Sequence, residues 1–387
     1  MAVLTSLVDA HCHVVTAGPV DEARFAAWCT EAAEGSTLDS QTVFAVRRWC
    51  PPVLGLPPHA RVADYLAARR EVEPAEVTRR LLGAANLGAL LVDTGLPGDG
   101  MLTPTDLSDA AAAPVSEVVR LETLAEGLAG GTTAAGFAAA FTDALAAALA
   151  TSGVVAVKSI VAYRHGLDVD PTRPSPAEVT RAAGRWLGTP GGTASRRPSE
   201  ERARRRRSQD GTVRLTDPVL LRFLLWSAVD AGRPVQLHTG FGDADASVVR
   251  SDPGLLQRFC AATQDAGTPL VLLHCYPYHR QAGWLAHLYR HVHVDVGLTL
   301  NHVGGRAPAV LAEFLELAPF DRVHYSSDAY GLPELYLAGA AQFRHALDTV
   351  LDGLVDDGAL ARADADRTAA AIGADNAARL YALPTAP

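Results

Sequence analysis

Histidines, a lysine and an aspartate close five short apolar runs, and together these residue types are the donors of a catalytic metal site. The first run ends in Asp9-Ala10-His11-Cys12-His13. Side chains alternate along a strand, so His11 and His13 point one way and Cys12 the other, and two imidazoles on one face can share a divalent cation. Val154-Val155-Ala156-Val157 leads into Lys158, Val235-Gln236-Leu237 into His238, and Val271-Leu272-Leu273 into His274. Val323-His324-Tyr325-Ser326-Ser327 leads into Asp328. A lone strand-end histidine is more often a packed core residue than a ligand, and a lone lysine more often an ion-pair partner. Five strand ends in agreement point elsewhere. Imidazole with carboxylate oxygen suits zinc, iron or manganese, and four or five such ligands around an open position make a hydrolytic site.

These residues need a scaffold that brings strand ends together. Short β-branched runs alternate with alanine-rich helical stretches, the pattern of βα units around a buried parallel sheet. Eight strands are expected: Leu4 to His13, Gly88 to Thr94, Val118 to Thr123, Val154 to Ile160, Pro234 to His238, Pro269 to Cys275, His291 to Gly297 and Arg322 to Asp328. Helices are expected at Ala134 to Ala150, Pro308 to Leu317 and Glu334 to Leu351. The fold class is therefore α/β, a (β/α)8 TIM barrel forming a single domain over 1–387, with a doubly wound sheet as runner-up. Such barrels carry their catalytic groups at the C-terminal ends of the strands, where the histidines, lysine and aspartate stand.

Two stretches are too long to be simple connections. Residues 14–86, with Trp28, Trp49 and several prolines, are expected to form a helical insertion that can act as a lid. Residues 190–212 carry Arg196, Arg197 and the run Arg202 to Arg207 among Gly, Ser, Thr and Pro. A solvated loop without fixed structure is the plain reading of this run, and an anion-binding element the alternative.

The order HxH, lysine, histidine, histidine, aspartate resembles that of the amidohydrolase superfamily, and the resemblance runs nearly end to end. His238-Thr239-Gly240, Ser327-Asp328 followed by Pro333-Glu334, and the tail Ala374 to Tyr381 are most similar to the amidohydrolase-related branch. That branch includes aminocarboxymuconate semialdehyde decarboxylase and the amidohydrolase domains fused to glutamine synthetase-like proteins. The resemblance implies that His11, His13 and Asp328 hold one metal and that His238 and His274 hold a second. It also implies that Lys158, carboxylated on its amine, bridges the two ions. Many members of the branch bind one metal and lack the lysine; in that case His274 becomes a catalytic acid or electrophile that touches substrate.

The expected reaction is metal-dependent hydrolysis, in which metal-bound hydroxide attacks an acyl carbon while Asp328 takes a proton and delivers it to the leaving group. An amide is the first choice of bond, with ester, lactone or thioester open to the same machinery. The alternative is a non-hydrolytic decarboxylase of a small carboxylated substrate, and from another class a catalytically idle binding protein. Tyr163, Arg164, Tyr330 and His302 follow strand ends and are expected to contact substrate, Arg164 as a carboxylate clamp whose plain alternative is a loop salt bridge. His291 and His293 open a strand, at the wrong end of the barrel for ligation. Cys12 and Cys275 are expected to pack toward the helices.

Composition narrows the remaining classes. A formal charge of −9 and a pI near 5.8 offer nucleic acid no general attraction. Five cysteines without a CxxC pair argue against a disulfide framework or a zinc ribbon. No basic leader precedes the first strand, and no apolar run reaches the roughly 18 residues of a membrane span, so a cytoplasmic enzyme of a small-molecule substrate is expected. The sequence leaves the oligomeric state open and allows a homodimer.

Overall fold

The protein is described by a computed structural model covering residues 6–32, 35, 37–96, 98–188 and 214–383. The arginine-rich stretch 190–212 lies outside the described residues.

Eight strands form one sheet in sequence order: β1 Leu7–Cys12, β2 Leu87–Asp93, β3 Val115–Arg120, β4 Val154–Ser159, β5 Val235–Thr239, β6 Leu270–His274, β7 Val292–Asp295 and β8 Val323–His324. All neighbouring pairs are parallel. The sheet nearly closes on itself, because Ala10 N donates to Tyr325 O at 3.1 Å and Asp328 N donates to His11 O at 3.0 Å. The architecture is the expected (β/α)8 barrel rather than a doubly wound sheet.

Strand composition explains the two cores. Leu90, Val92, Val157, Val235, Leu237, Leu270 and Leu272 face the surrounding helices and belong to the large core. The alternating positions Ala89, Leu91, Ala156, Val271 and Leu273 form a smaller cluster with Val8 and Ala10. Ala377, Tyr381 and Leu383 of the C-terminal segment join that inner cluster. Asn376 Nδ2 ties the same segment to Phe320 O and Val323 O, at 2.8 and 2.9 Å, where β8 begins. The C-terminal helix Asn376–Leu380 thus closes the barrel at its N-terminal end, opposite the strand ends that carry the histidines.

β7 ends at Asp295, short of the expected Gly297, and two strands depart further from expectation. β3 starts at Val115 and stops at Arg120, because Leu121 opens the helix Leu121–Gly127 and buries its apolar side chain there. β8 is only two residues long, since the chain leaves the extended conformation before Asp328, whose φ is 51°.

Between β1 and β2 stand the helices Glu22–Trp28, Gln41–Trp49, Val62–Arg70 and Pro74–Ala85. Asp21 and Ser40 cap the first two by accepting from Arg24 N and Val43 N, and Pro74 opens the last. Pro74–Ala85 packs on the long helix Pro333–Asp356 in the outer ring, so the insertion proper is the stretch before it. All five cysteines are buried free thiols, and Cys12 and Cys275 pack in the large core. Among the described residues no helix is long and apolar enough to cross a membrane.

Candidate metal centre

The strand ends converge. His11 and His13 meet edge to face with ring centroids 5.1 Å apart, His274 lies 5.7 Å from His11, and His238 lies 4.7 Å from His274. Asp328 Oδ1 is 3.1 Å from His11 Nε2 and 3.4 Å from His13 Nε2, while its Oδ2 is 3.7 Å from His274 Nε2. Lys158 Nζ sits 2.8 Å from His11 Nε2 and 3.5 Å from Asp93 Oδ2. All six residues named from the strand ends therefore share one locality.

Simple alternation does not account for this convergence. A register shift between Asp9 and Cys12 in β1 lets both Ala10 and His11 face inward. At the end of β6, His274 and Cys275 take φ of 67° and 66°. With Asp328 they are three non-glycine residues in the left-handed region, where a side chain costs energy, and all three lie at or beside the cluster.

The far nitrogens of the first two rings define the near ones. His11 Nδ1 lies 2.8 Å from Gln236 Oε1 and His13 Nδ1 lies 3.1 Å from the carbonyl oxygen of Asp93. Carbonyl oxygens only accept, so both rings carry their proton on Nδ1 and present an Nε2 lone pair to Asp328. Burial lowers the pKa of His11 to about 4 and of His274 to about 3, and pushes His238 well below its usual value. Burial likewise lowers Lys158, with Asp93 and Asp328 opposing.

Two lone pairs and a carboxylate oxygen repel one another; Lys158 Nζ, 2.8 Å from His11 Nε2, relieves part of that repulsion, and a divalent cation among them would relieve the rest. Beside them His238 Nε2 and both ring nitrogens of His274 are buried without a hydrogen-bond partner. Unpartnered buried polar atoms carry a desolvation cost of about 1–3 kcal/mol each, and a divalent ion would engage the Nε2 atoms. His11, His274 and Asp328 offer ligand atoms within 4.8 Å of one another, as do His11, His13 and Asp93. The donor set fits a divalent cation.

The cluster opens into a cavity of ≈ 790 Å³ whose wall includes Tyr163, Arg164, Arg120 and Tyr330. The Tyr163 ring packs 4.3 Å from His238, and Gly242 passes so close to both that a Cβ there would collide with the phenol oxygen. Tyr330 stands edge-on to His13 at 5.9 Å, and Trp28 of the insertion lies over Tyr330 at 6.4 Å. Arg164 is paired with Glu126 at 3.2 Å; its Nε and Nη1 are buried without partners. His302 lines an adjoining cavity of ≈ 450 Å³ with Trp28 and Glu31, its Nε2 3.9 Å from Glu31 Oε1. His291 bonds Thr263, and His293 Nδ1 lies 2.9 Å from His324 Nε2, both away from the cluster.

Sequence reasoning passed over four residues here. Asp93 ends β2 and Lys158 stands one residue before the end of β4, and the same strand-end rule would have found it. Its carboxylate, held ionised against burial by Arg120 and Lys158, accepts from Arg120 Nη2 at 2.7 Å. Arg120 was hidden by the misplaced end of β3. Gln236 lies inside a strand and Glu31 in an insertion loop, and neither position carries a local signal.

The sequence profile of the amidohydrolase family matches residues 8–383. The chain belongs to this family. A proposed metal-dependent hydrolase of Lactobacillus casei ATCC 334 is 28% identical, with a TM-score of 0.83, over 98% of this amidohydrolase chain and 96% of that one. A uronate isomerase of Bacillus halodurans C-125, 13% identical with a TM-score of 0.62 over 98% of this chain and 94% of that chain, shares the fold. Among curated proteins, protein fluG of Emericella nidulans is 36% identical over 244 residues, which are 62% of this chain. The match spans only 27% of that protein's length.

Proposed function

We propose that this amidohydrolase is a metal-dependent hydrolase of an acyl bond, an amide in the first instance. The observation that carries the reading is the convergence of the His11 and His13 lone pairs on Asp328 beside the unpartnered nitrogens of His238 and His274. His11, His13 and Asp328 would hold one ion and His238 and His274 a second, with Lys158, N-carboxylated, between them. Zinc is the first candidate, with iron and manganese accepted by the same donors. When bound, the metal would supply Lewis acidity and lower the pKa of water toward neutrality.

The protein's own groups do the rest. Asp328 takes the proton of the attacking water and returns it to the leaving group, the general-base and general-acid work of a carboxylate beside the reacting centre. Tyr163, packed on His238, and Tyr330, packed on His13, orient a small-molecule substrate in the cavity. Arg164 is retained as a carboxylate contact through the edge not engaged by Glu126. Trp28 of the insertion stands edge-on to Tyr330 of the cavity wall, a position that suits a lid. The place of action proposed is the cytoplasm.

A specific observation favours a second reading. Lys158 already has two partners, His11 and Asp93, and an ammonium so engaged must lose a proton and these contacts before it can add carbon dioxide. If it keeps them, the centre would hold one ion, and His274 would face the substrate as acid or electrophile. Elemental analysis of protein purified without chelator, wild type and Lys158→Ala, tests both. Two equivalents falling to one or none support the bridged pair. One equivalent in both proteins retires the bridge. No bound metal in wild type would sink the function as proposed. Carbon dioxide release without incorporation of solvent oxygen would replace hydrolysis by decarboxylation.

A further inference from the structure

Gln236 lies one turn of the pleat below His238 on β5, inside the barrel and fully buried. Its amide nitrogen has two neighbours, Ala10 O at 2.8 Å and Tyr381 Oη at 2.9 Å. The carbonyl of Ala10 can only accept, so the NH2 group must face it, and the amide cannot turn over. With the nitrogen fixed, Oε1 is left pointing at His11 Nδ1, 2.8 Å away.

Tyr381 follows the C-terminal helix Asn376–Leu380, which closes the opposite end of the barrel. It is buried, and its hydroxyl is one of the few polar groups in an otherwise apolar inner cluster. A hydrogen-bond chain therefore crosses the interior from Tyr381 through Gln236 to the ring that stands at the centre of the metal cluster. Every member is fixed by its neighbour.

We infer that Gln236 and Tyr381 are positioning residues that hold His11 in its Nδ1-protonated tautomer, with the Nε2 lone pair aimed at the metal. The inference rests on the metal reading above and extends it to the far end of the barrel. Without the acceptor at Nδ1, a neutral imidazole can place its proton on either nitrogen, and the tautomer with the proton on Nε2 cannot ligate there. In the empty site Lys158 Nζ, 2.8 Å from Nε2, also favours this tautomer, but a metal at Nε2 would take that place, and the Nδ1 partner is then what orders the buried ring. The C-terminal segment would then have a role beyond packing: the Tyr381 hydroxyl keeps the amide of Gln236 in register.

The test is zinc affinity, measured by competition with a chromogenic chelator on wild type, Gln236→Leu, Tyr381→Phe and the double variant. Partners of metal-bound histidines typically contribute 10–100-fold to affinity, so Gln236→Leu should bind zinc about that much more weakly. Tyr381→Phe should weaken binding by a smaller factor in the same direction. The double variant should be no weaker than Gln236→Leu alone, because both act through one ring. Wild-type affinity in Gln236→Leu or Tyr381→Phe would overturn the inference, as would a double variant whose loss is the product of the two single losses. Melting of the chelator-treated proteins separates folding from ligation: variants that melt early but bind zinc as wild type does would show a structural role only and overturn the inference. A wild type that takes up no zinc would overturn the proposed function instead.

Discussion

Asp9 and Ser327, 318 residues apart in the chain, are joined twice where β1 meets the chain after β8. Ser327 N donates to Asp9 Oδ1 at 2.9 Å and Ser327 Oγ donates to Asp9 Oδ2 at 2.6 Å. The same hydroxyl accepts from Ala329 N at 3.0 Å. The two residues flanking Asp328 are thus fixed, and Asp328 itself is held in the left-handed region with its N–H on His11 O. Asp9 is the anchor of the turn that presents the carboxylate to the metal cluster.

Asp9→Ala should therefore act on both stability and site. Removing the acceptor leaves Ser327 N–H buried and unpaired, which costs about 1–3 kcal/mol, and frees the Asp328 turn. Urea unfolding should show that loss, and zinc affinity should fall with it. A variant that unfolds at the wild-type midpoint would show that the turn stands without Asp9.

The histidines give the metal-free protein a pH dependence whose sign can be worked out. Burial depresses His11 to about 4 and His274 to about 3 from an unfolded value of 6.5. Above pH 6.5 both are neutral in either state and their contribution is complete. As pH falls toward 3 to 4, the unfolded chain takes up protons that the folded one refuses, and stability is lost. Asp9 and Asp295, raised by burial to about 8 and about 7, contribute with the opposite sign, since their protonated forms favour the folded state. The histidine contribution is thus read as a difference. The melting temperature of chelator-treated wild type should fall more steeply from pH 7 to 4.5 than that of His274→Asn. Parallel curves would count against neutral, buried His274.

The barrel and the polar strand ends were legible because each is a local pattern. An apolar run followed by histidine, lysine or aspartate reads the same whichever way the chain folds. What was not legible depends on contacts across the barrel. The end of β3 was misplaced because Leu121 continues the apolar run of Val118 and Val119, although it belongs to the next helix, and Arg120 was lost with it. Gln236 matters only because His11, Ala10 and Tyr381 reach it from distant parts of the chain. Arg164 was singled out from its place after β4, but its pairing with Glu126 depends on a helix 38 residues earlier.

That pairing makes its own prediction. Arg164 and Glu126 are both over nine-tenths buried, their side chains 7% and 6% exposed. Removing one partner of such a pair costs about 3–5 kcal/mol, so Arg164→Met should be strongly destabilised in urea. Arg164→Met combined with Glu126→Gln should lose much less than the two single losses added together. Strict additivity would mean that the pair does not act as a unit.

Gly331 marks where the insertion meets the barrel. Its φ is 77°, and a Cβ would stand 2.6 Å from the Trp28 ring. Gly331→Ala must strain the backbone, displace the indole, or both, at about 1–3 kcal/mol. Its tryptophan emission should shift to the red as Trp28 gains water, and the melting temperature should drop. If the emission is unchanged, Trp28 does not depend on the glycine for its place over Tyr330.

Asp328 separates chemistry from fold most cleanly, because asparagine tolerates the left-handed region at least as well as aspartate. Asp328→Asn keeps the side-chain shape and the main-chain bond from its own N–H to His11 O. It removes the group proposed to move the proton. General acid–base catalysis typically contributes about 10²–10⁴-fold, so kcat should fall by at least that range on any acyl substrate found. The loss of one anionic ligand should weaken zinc as well, and saturating zinc should not restore turnover. The chelator-treated variant should melt near wild type, because the turn and its main-chain bond to His11 are kept. Recovery of full activity at high zinc would reduce Asp328 to a ligand and leave the proton to His274.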